Sequence, residues 1–172
     1  NYRGIIQHLD YIKGMGFDAI WISPIIENTD GSYHGYHLTN LYNLNPHFGT
    51  EDDFKALISA CHEKDIWVMV DVVANHVGPI GTDYSRIYPF NSADHYHDRC
   101  DITDWSNQWQ VENCRLSDLP DLKHENDYVA DELLRWIKWI IICIINCSKS
   151  FFIVKIIQNI IYYFILRWNI LR

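Results

Sequence analysis

The sequence predicts an α/β fold in which buried parallel strands alternate with helices, and three observations predict it. Two almost continuously apolar runs, Phe17 to Ser23 and Ile66 to Val73, have the pattern of strands covered on both faces. Segments with apolar residues at helical spacing lie before, between and after these runs. Long polar stretches stand only at the strands' C-terminal ends, as in the half-unit of a (β/α) barrel or a doubly wound sheet, both of which place function there.

Each element has its own warrant. Ile5, Ile6, Leu9, Ile12 and Met15 recur at helical spacing, and Gly14 and Gly16 supply the flexible exit that ends the helix. The first strand follows, interrupted by Asp18 alone and stopped by Pro24. A polar loop from Pro24 to Gly49 leads to Thr50, which can cap a second helix with Asp53 three residues on; Phe54, Leu57, Ile58 and Cys61 form its inner face. The second strand is rich in β-branched residues and ends at Asn75 and His76. No glycine-rich phosphate loop follows either strand, which weighs against a nucleotide site. Gly78 to Glu125 is too long for a plain strand-to-helix loop and reads as a small inserted subdomain. Val129, Leu133, Trp136, Ile137 and Ile140 then open a third helix.

Composition narrows the partners. At 172 residues and 48% hydrophobic content the chain can bury a core. Its formal charge of -8 argues against nucleic acid, whose binding needs cationic side chains. Seven Trp and eleven Tyr offer flat apolar faces with a polar edge, which suit a neutral sugar ring as well as they fill a core. Five cysteines cannot all pair within the chain. Cys100 and Cys114 lie in a polar, loop-rich stretch, Cys61 in a helix, and Cys143 and Cys147 near the C-terminus. The chain begins without Met or an apolar leader, so a secreted protein's signal peptide is expected to be missing or processed.

Two motifs carry the chemistry: Val70-Asp71-Val72-Val73-Ala74-Asn75-His76 at the end of the second strand, and Tyr33-His34-Gly35-Tyr36 in the loop after the first. With the run from Gly14 to Pro24 and with Asp118-Leu119-Pro120-Asp121-Leu122, they resemble the α-amylases of glycoside hydrolase family 13, most closely the fungal type. The resemblance spans residues 2 to 139. It implies a TIM barrel with residues 1–77 supplying helix 1, strand 2, helix 2 and strand 3, a calcium-binding subdomain inserted at 78–125, and the third barrel helix at 126–139. It also implies that Asn75, Glu112 and Asp121 hold calcium, a hard cation suited to oxygen ligands, and that Cys100 and Cys114 form a disulfide. Closing such a loop stabilises by about 3 kcal/mol. Zinc on His95, His97 and Cys100 is the competing idea, for which no fourth ligand is evident. On the substrate side, Tyr36 resembles the tyrosine that stacks on glucose beside the scissile bond, and His34 and His76 the histidines that bond its hydroxyls. Asp71 resembles an acid that orients an arginine near the nucleophile. Arg3, His37 and Asn40 depart from the family's usual glutamine, tryptophan and aspartate.

The implied reaction is retaining endohydrolysis of α-1,4-glucosidic bonds in starch and glycogen by a secreted, monomeric enzyme. A retaining glycosidase needs two carboxyl groups about 5–5.5 Å apart. The family carries them after barrel strands four and five, and no Asp or Glu follows Trp139 here. No catalytic residue is therefore assigned; the alternative is a noncatalytic glucan- or calcium-binding fragment. Twelve of the 33 residues from Ile140 to Arg172 are Ile, and Gly, Pro, Ala and Thr are absent. This tail is expected to be an intron or shifted frame and not native family sequence. Lys149 and Lys155 break it into pieces shorter than the ~20 apolar residues of a membrane span. With two of eight strands, the free polypeptide is expected to leave both sheet edges open and to fold poorly.

Overall fold

The computed structural model describes residues 1–145 and 153–156. Its N-terminal helix is divided into α1 (Tyr2–Gln7) and α2 (Leu9–Gly14), where a single helix was expected. The backbone of His8 leaves the helical region between them, and the side chain of Asn1 caps α1 by accepting from the Gly4 amide. Leu9 is fully buried at this joint, whereas Met15 lies beyond the last turn and is exposed.

Strand β1 (Ala19–Ile22) pairs in parallel with a later strand, β4 (Trp67–Val72), in the register Ala19 to Trp67 and Ile22 to Val70. The expectation of burial on both faces needs correction for β1. Phe17 and Trp21 are exposed, because β1 stands at the edge of the sheet. The inner strand β4 does bury Val68, Val70, Asp71 and Val72. The segment read as a polar loop contains a two-stranded antiparallel hairpin, β2 (Ile26–Asn28) and β3 (Leu38–Leu44), whose Ile26, Leu38 and Leu41 are fully buried.

Helix α3 (Glu51–Glu63) begins with a capping box. Thr50 Oγ1 accepts from the Asp53 amide at 3.1 Å and Asp53 Oδ2 accepts from the Thr50 amide at 3.0 Å. Each box satisfies two of the amides that a helix start leaves without partners. Phe54, Leu57, Ile58 and Cys61 face inward, and the ring of Tyr2 lies 5.4 Å from that of Phe54. Burying side chains of this size contributes about 1.5–3 kcal/mol each.

The insertion carries two short 3-10 turns, at Tyr84–Arg86 and Ala93–His95, and a short helix, α4 (Gln108–Asn113). Helix α5 (Asp127–Ile145) returns along the core on Val129, Leu133, Trp136, Ile137 and Ile140. Strand β5 (Ile153–Ile156) then lies parallel to β4, with Met69 opposite Ile153, giving the order β1-β4-β5. The tail was expected not to be native family sequence, and both sheet edges were expected to stay open. Among the described residues it extends α5 and covers the free edge of β4, since unpaired strand groups accept a β-branched, apolar segment. The rest of the tail, including Lys149, lies outside the described residues. No helix among the described residues is long and apolar enough to cross a membrane.

Candidate functional site

Three segments converge at the C-terminal end of β1 and β4: the hairpin loop with His34 and Tyr36, the end of β4 with Asp71, Asn75 and His76, and the strip Pro120 to Lys123 of the insertion. The strip is held on both sides by backbone bonds. Val77 donates to Pro120 and Leu122 to Asn75; His97 donates to Asp121 and Lys123 to His95, all at 2.9–3.1 Å. Across the hairpin, Leu41 and Tyr88 complete a further link, each at 2.9 Å, through the Tyr88 and Thr39 carbonyls.

Asp71 is 1% exposed, and its Oδ2 accepts from the Tyr36 hydroxyl at 2.7 Å. That bond, with burial and the carboxylate's charge, pushes the Tyr36 phenol up to about 12. The other oxygen of Asp71 is buried without a partner among the described residues. A buried carboxylate oxygen left this way costs free energy, so it is a position prepared for a donor.

Tyr36 is oriented by its neighbours. His34 Nδ1 accepts from the Tyr36 amide at 3.0 Å, which fixes the ring proton of neutral His34 on Nε2, and the two rings stack 5.7 Å apart. His76 is 7% exposed and its Nε2 donates to the Tyr36 carbonyl at 3.2 Å. The structure therefore brings Tyr36, His34 and His76 together, and His76 spends its Nε2 proton on the backbone of Tyr36. Gly35 permits the turn between them: its φ is +88°, and a Cβ there would stand 2.7 Å from the Pro24 carbonyl.

Burial drives the His76 imidazole down to about 4. A histidine depressed in the folded state leaves stability intact above the unfolded value near 6.5 and removes it as pH falls, because only the unfolded chain then takes up the proton. The His76 share of acid destabilisation is expected to amount to roughly 3 kcal/mol between pH 6.5 and 4. Urea unfolding across that range should show a shallower pH dependence for His76→Gln; an unchanged slope would refute a buried neutral imidazole.

The expected calcium ligands part company. Asn75 Nδ2 donates to Asp121 Oδ1 at 3.0 Å, so these two side chains meet. Glu112 stands exposed on α4 with its carboxylate bonded to Gln108. Among the described residues no three His, Cys, Asp or Glu side chains are grouped to hold a metal ion. Asp121 is 3% exposed, and burial pushes its carboxyl up. The counter-charge is His97, whose Nδ1 lies 2.7 Å from Asp121 Oδ2 and whose Nε2 lies 3.0 Å from Glu125. Both ring nitrogens face carboxylates, an arrangement that needs two donors and hence imidazolium. The bond to Asp121 is the main cause raising the His97 pKa.

Zinc is set aside by the same geometry. Cys100 is bonded to Cys114, and His95 stacks on Tyr128 at 4.8 Å. Sequence reasoning missed the His97 bridge because its two partners lie 24 and 28 residues further along the chain. On the hairpin a cavity of about 370 Å³ is lined by Glu27, Asn28, Asp30, Tyr33, Asn45 and His47 among others, and by none of the site residues above.

Residues 1–145 match the family model described as alpha amylase, catalytic domain. The chain is 47% identical over 152 residues to alpha-amylase 2 of Schizosaccharomyces pombe, covering 80% of this chain and 26% of that protein. It is 43% identical over 152 residues to the alpha-amylase of Saccharomycopsis fibuligera, covering 80% and 31%. An alpha-amylase structure from Malbranchea cinnamomea superposes with a TM-score of 0.78 at 37% identity, covering 92% of this chain and 41% of that one. The Geobacillus thermoleovorans alpha-amylase, solved as a complex with acarbose, superposes at 0.77 and 41% identity over 83% and 32%. The chain thus spans less than a third of the length of these curated relatives.

Proposed function

The chain belongs to the α-amylase catalytic-domain family, and on that premise we propose that it serves endohydrolysis of α-1,4-glucosidic bonds in starch and glycogen, with retention, as the part that binds substrate. The carrying observation is Tyr36 held over the end of the sheet by Asp71, His34 and His76, with one oxygen of Asp71 awaiting a donor. An aromatic ring stacked on one imidazole, with a second holding its backbone, suits a sugar's apolar face and its hydroxyls. The resemblance gives Asp71 an arginine to orient, and the orphaned oxygen is what such an arginine would occupy.

The two carboxyl groups of a retaining mechanism belong, by the resemblance, to later barrel strands. In this reading the 172 residues hold glucan and do not cleave it. Calcium is the implied ion. Asp121, a buried carboxylate, suits it as an oxygen donor, and Asn75, which here turns its Nδ2 to Asp121, would have to offer its amide oxygen instead. Glu112, as placed on α4, is bonded elsewhere. When bound there, calcium would supply positive charge between the end of β4 and the strip of the insertion. The Cys100–Cys114 disulfide fits an oxidising, extracellular setting.

Maltoheptaose binding, followed by calorimetry with calcium present, tests the proposal. Tyr36→Ala is expected to weaken it about tenfold or more, the loss of a central aromatic contact. Starch hydrolysis by the chain is expected to be absent. Equal affinity of wild type and Tyr36→Ala would remove Tyr36 from the site, and turnover of starch would overturn the assignment of a binding role alone.

A further inference from the structure

The loop closed by the Cys100–Cys114 disulfide carries two tryptophans that the site above does not use. Trp105 is 64% exposed and Trp109 62%, the most exposed of the tryptophans among the described residues. They flank Asn107, the N-terminal cap of α4, and every residue from Thr103 to Trp109 is exposed. An indole left in water gives up the burial that ordinarily recruits it to a core, and here two stand exposed four residues apart, on either side of a helix cap.

The segment is held in shape by polar bonds. Gln110 Oε1 accepts from the Thr103 amide, the Thr103 hydroxyl and the Asp104 amide at 2.9–3.2 Å. Asp104 Oδ1 accepts from the amide and hydroxyl of Ser106 at 2.9 and 2.6 Å. The Asn107 side chain accepts from the Gln110 amide at 3.2 Å, and the Arg115 amide bonds Cys100 at 2.9 Å across the base of the loop. The two indoles are thereby presented on an ordered support, which lowers the entropy cost of binding.

The chemistry around them selects the ligand. From Thr103 to Gln110 there is one charged residue, Asp104, already engaged by Ser106; the rest are hydroxyl, amide or indole side chains. A membrane surface or a polyanion would need cations that this stretch lacks. Neutral, hydroxyl-rich rings with apolar faces match indoles set among amides and hydroxyls.

We propose that Trp105 and Trp109 form a second α-glucan-binding surface, on the insertion and sharing no residue with the Tyr36 site. The proposal rests on the α-glucan reading above. Its role is to retain long polysaccharide, which can reach both places, more than short oligosaccharide.

The test is retardation of the 172-residue chain in amylopectin-containing native gels, comparing wild type, Trp105→Ala/Trp109→Ala and Tyr36→Ala. The double variant is expected to lose about tenfold in amylopectin affinity, as truncated aromatic anchors do, and Tyr36→Ala to remain measurably retarded. Wild-type indole emission should shift on adding maltoheptaose, and the shift should shrink in the double variant. Both side chains stand in water, so an unchanged circular dichroism spectrum is expected and checks the fold. A second pair, Trp105→Phe/Trp109→Phe, should keep most of the retardation. A double alanine variant retarded like wild type overturns this surface and leaves the α-glucan reading intact. Absence of any retardation in wild type overturns both.

Discussion

Replacing Asp121 with alanine is expected to destabilise the folded chain by about 3–5 kcal/mol, the range found when one partner is removed from a buried ion pair. The side chain is 3% exposed and serves two elements at once: Asn75 at the end of β4 and His97 in the insertion. Alanine removes the carboxylate that both the His97 Nδ1 proton and the Asn75 amide meet. The pH dependence identifies the cause. A histidine raised in the folded state contributes stability that is fully present below its unfolded value near 6.5 and is lost as pH rises through its folded value. The deficit of Asp121→Ala should therefore be larger at mildly acidic pH than above neutrality, until acid protonates Asp121 itself. Asp121→Asn should lose less, since an amide oxygen can still accept from His97. Chemical denaturation at several pH values measures this; a loss below about 1 kcal/mol would show that Asp121 does not join the two parts.

Gly35→Ala is expected to cost about 3 kcal/mol or more, from strain at positive φ and from the enforced approach to the Pro24 carbonyl. The effect should reach the site. Gly35 lies between His34 and Tyr36, so relief of the clash moves Tyr36 and breaks its bond to Asp71. The Tyr36 phenol, held up to about 12, should then titrate nearer 10 in an ultraviolet titration. Retention of both the stability and the high phenol pKa would mean that the backbone here accepts a side chain.

Legibility from sequence followed the range of the interactions. The capping box at Thr50 and Asp53 and the inner face of α3 are local, and the chain displays both. The hairpin was hidden for a physical reason. Its register shifts around Glu27, so Leu38 and Leu41 are buried at a spacing of three where a regular strand would bury every second residue. The exposure of Trp21 could not be read from an apolar run, because an edge strand and an inner strand share that composition. The break at His8 likewise leaves the helical spacing of its neighbours intact. At the site, the motifs pointed to Tyr36, His34, His76, Asn75 and Asp121 as individuals. That His76 donates to a backbone carbonyl and that His97 bridges Asp121 and Glu125 depend on segments brought together only by the fold.

The strip from Pro120 to Lys123 has a consequence for cooperativity. Its backbone bonds run to Asn75 and Val77 on one side and to His95 and His97 on the other, so neither side can open without exposing groups of the other. The insertion and the strand end that carries the site are therefore expected to protect their amides as a single unit, and the hairpin loop, whose Tyr36 carbonyl accepts from His76, to share that unit's opening free energy. On the proposed reading, glucan affinity and resistance to local unfolding would therefore depend on the same cooperative unit.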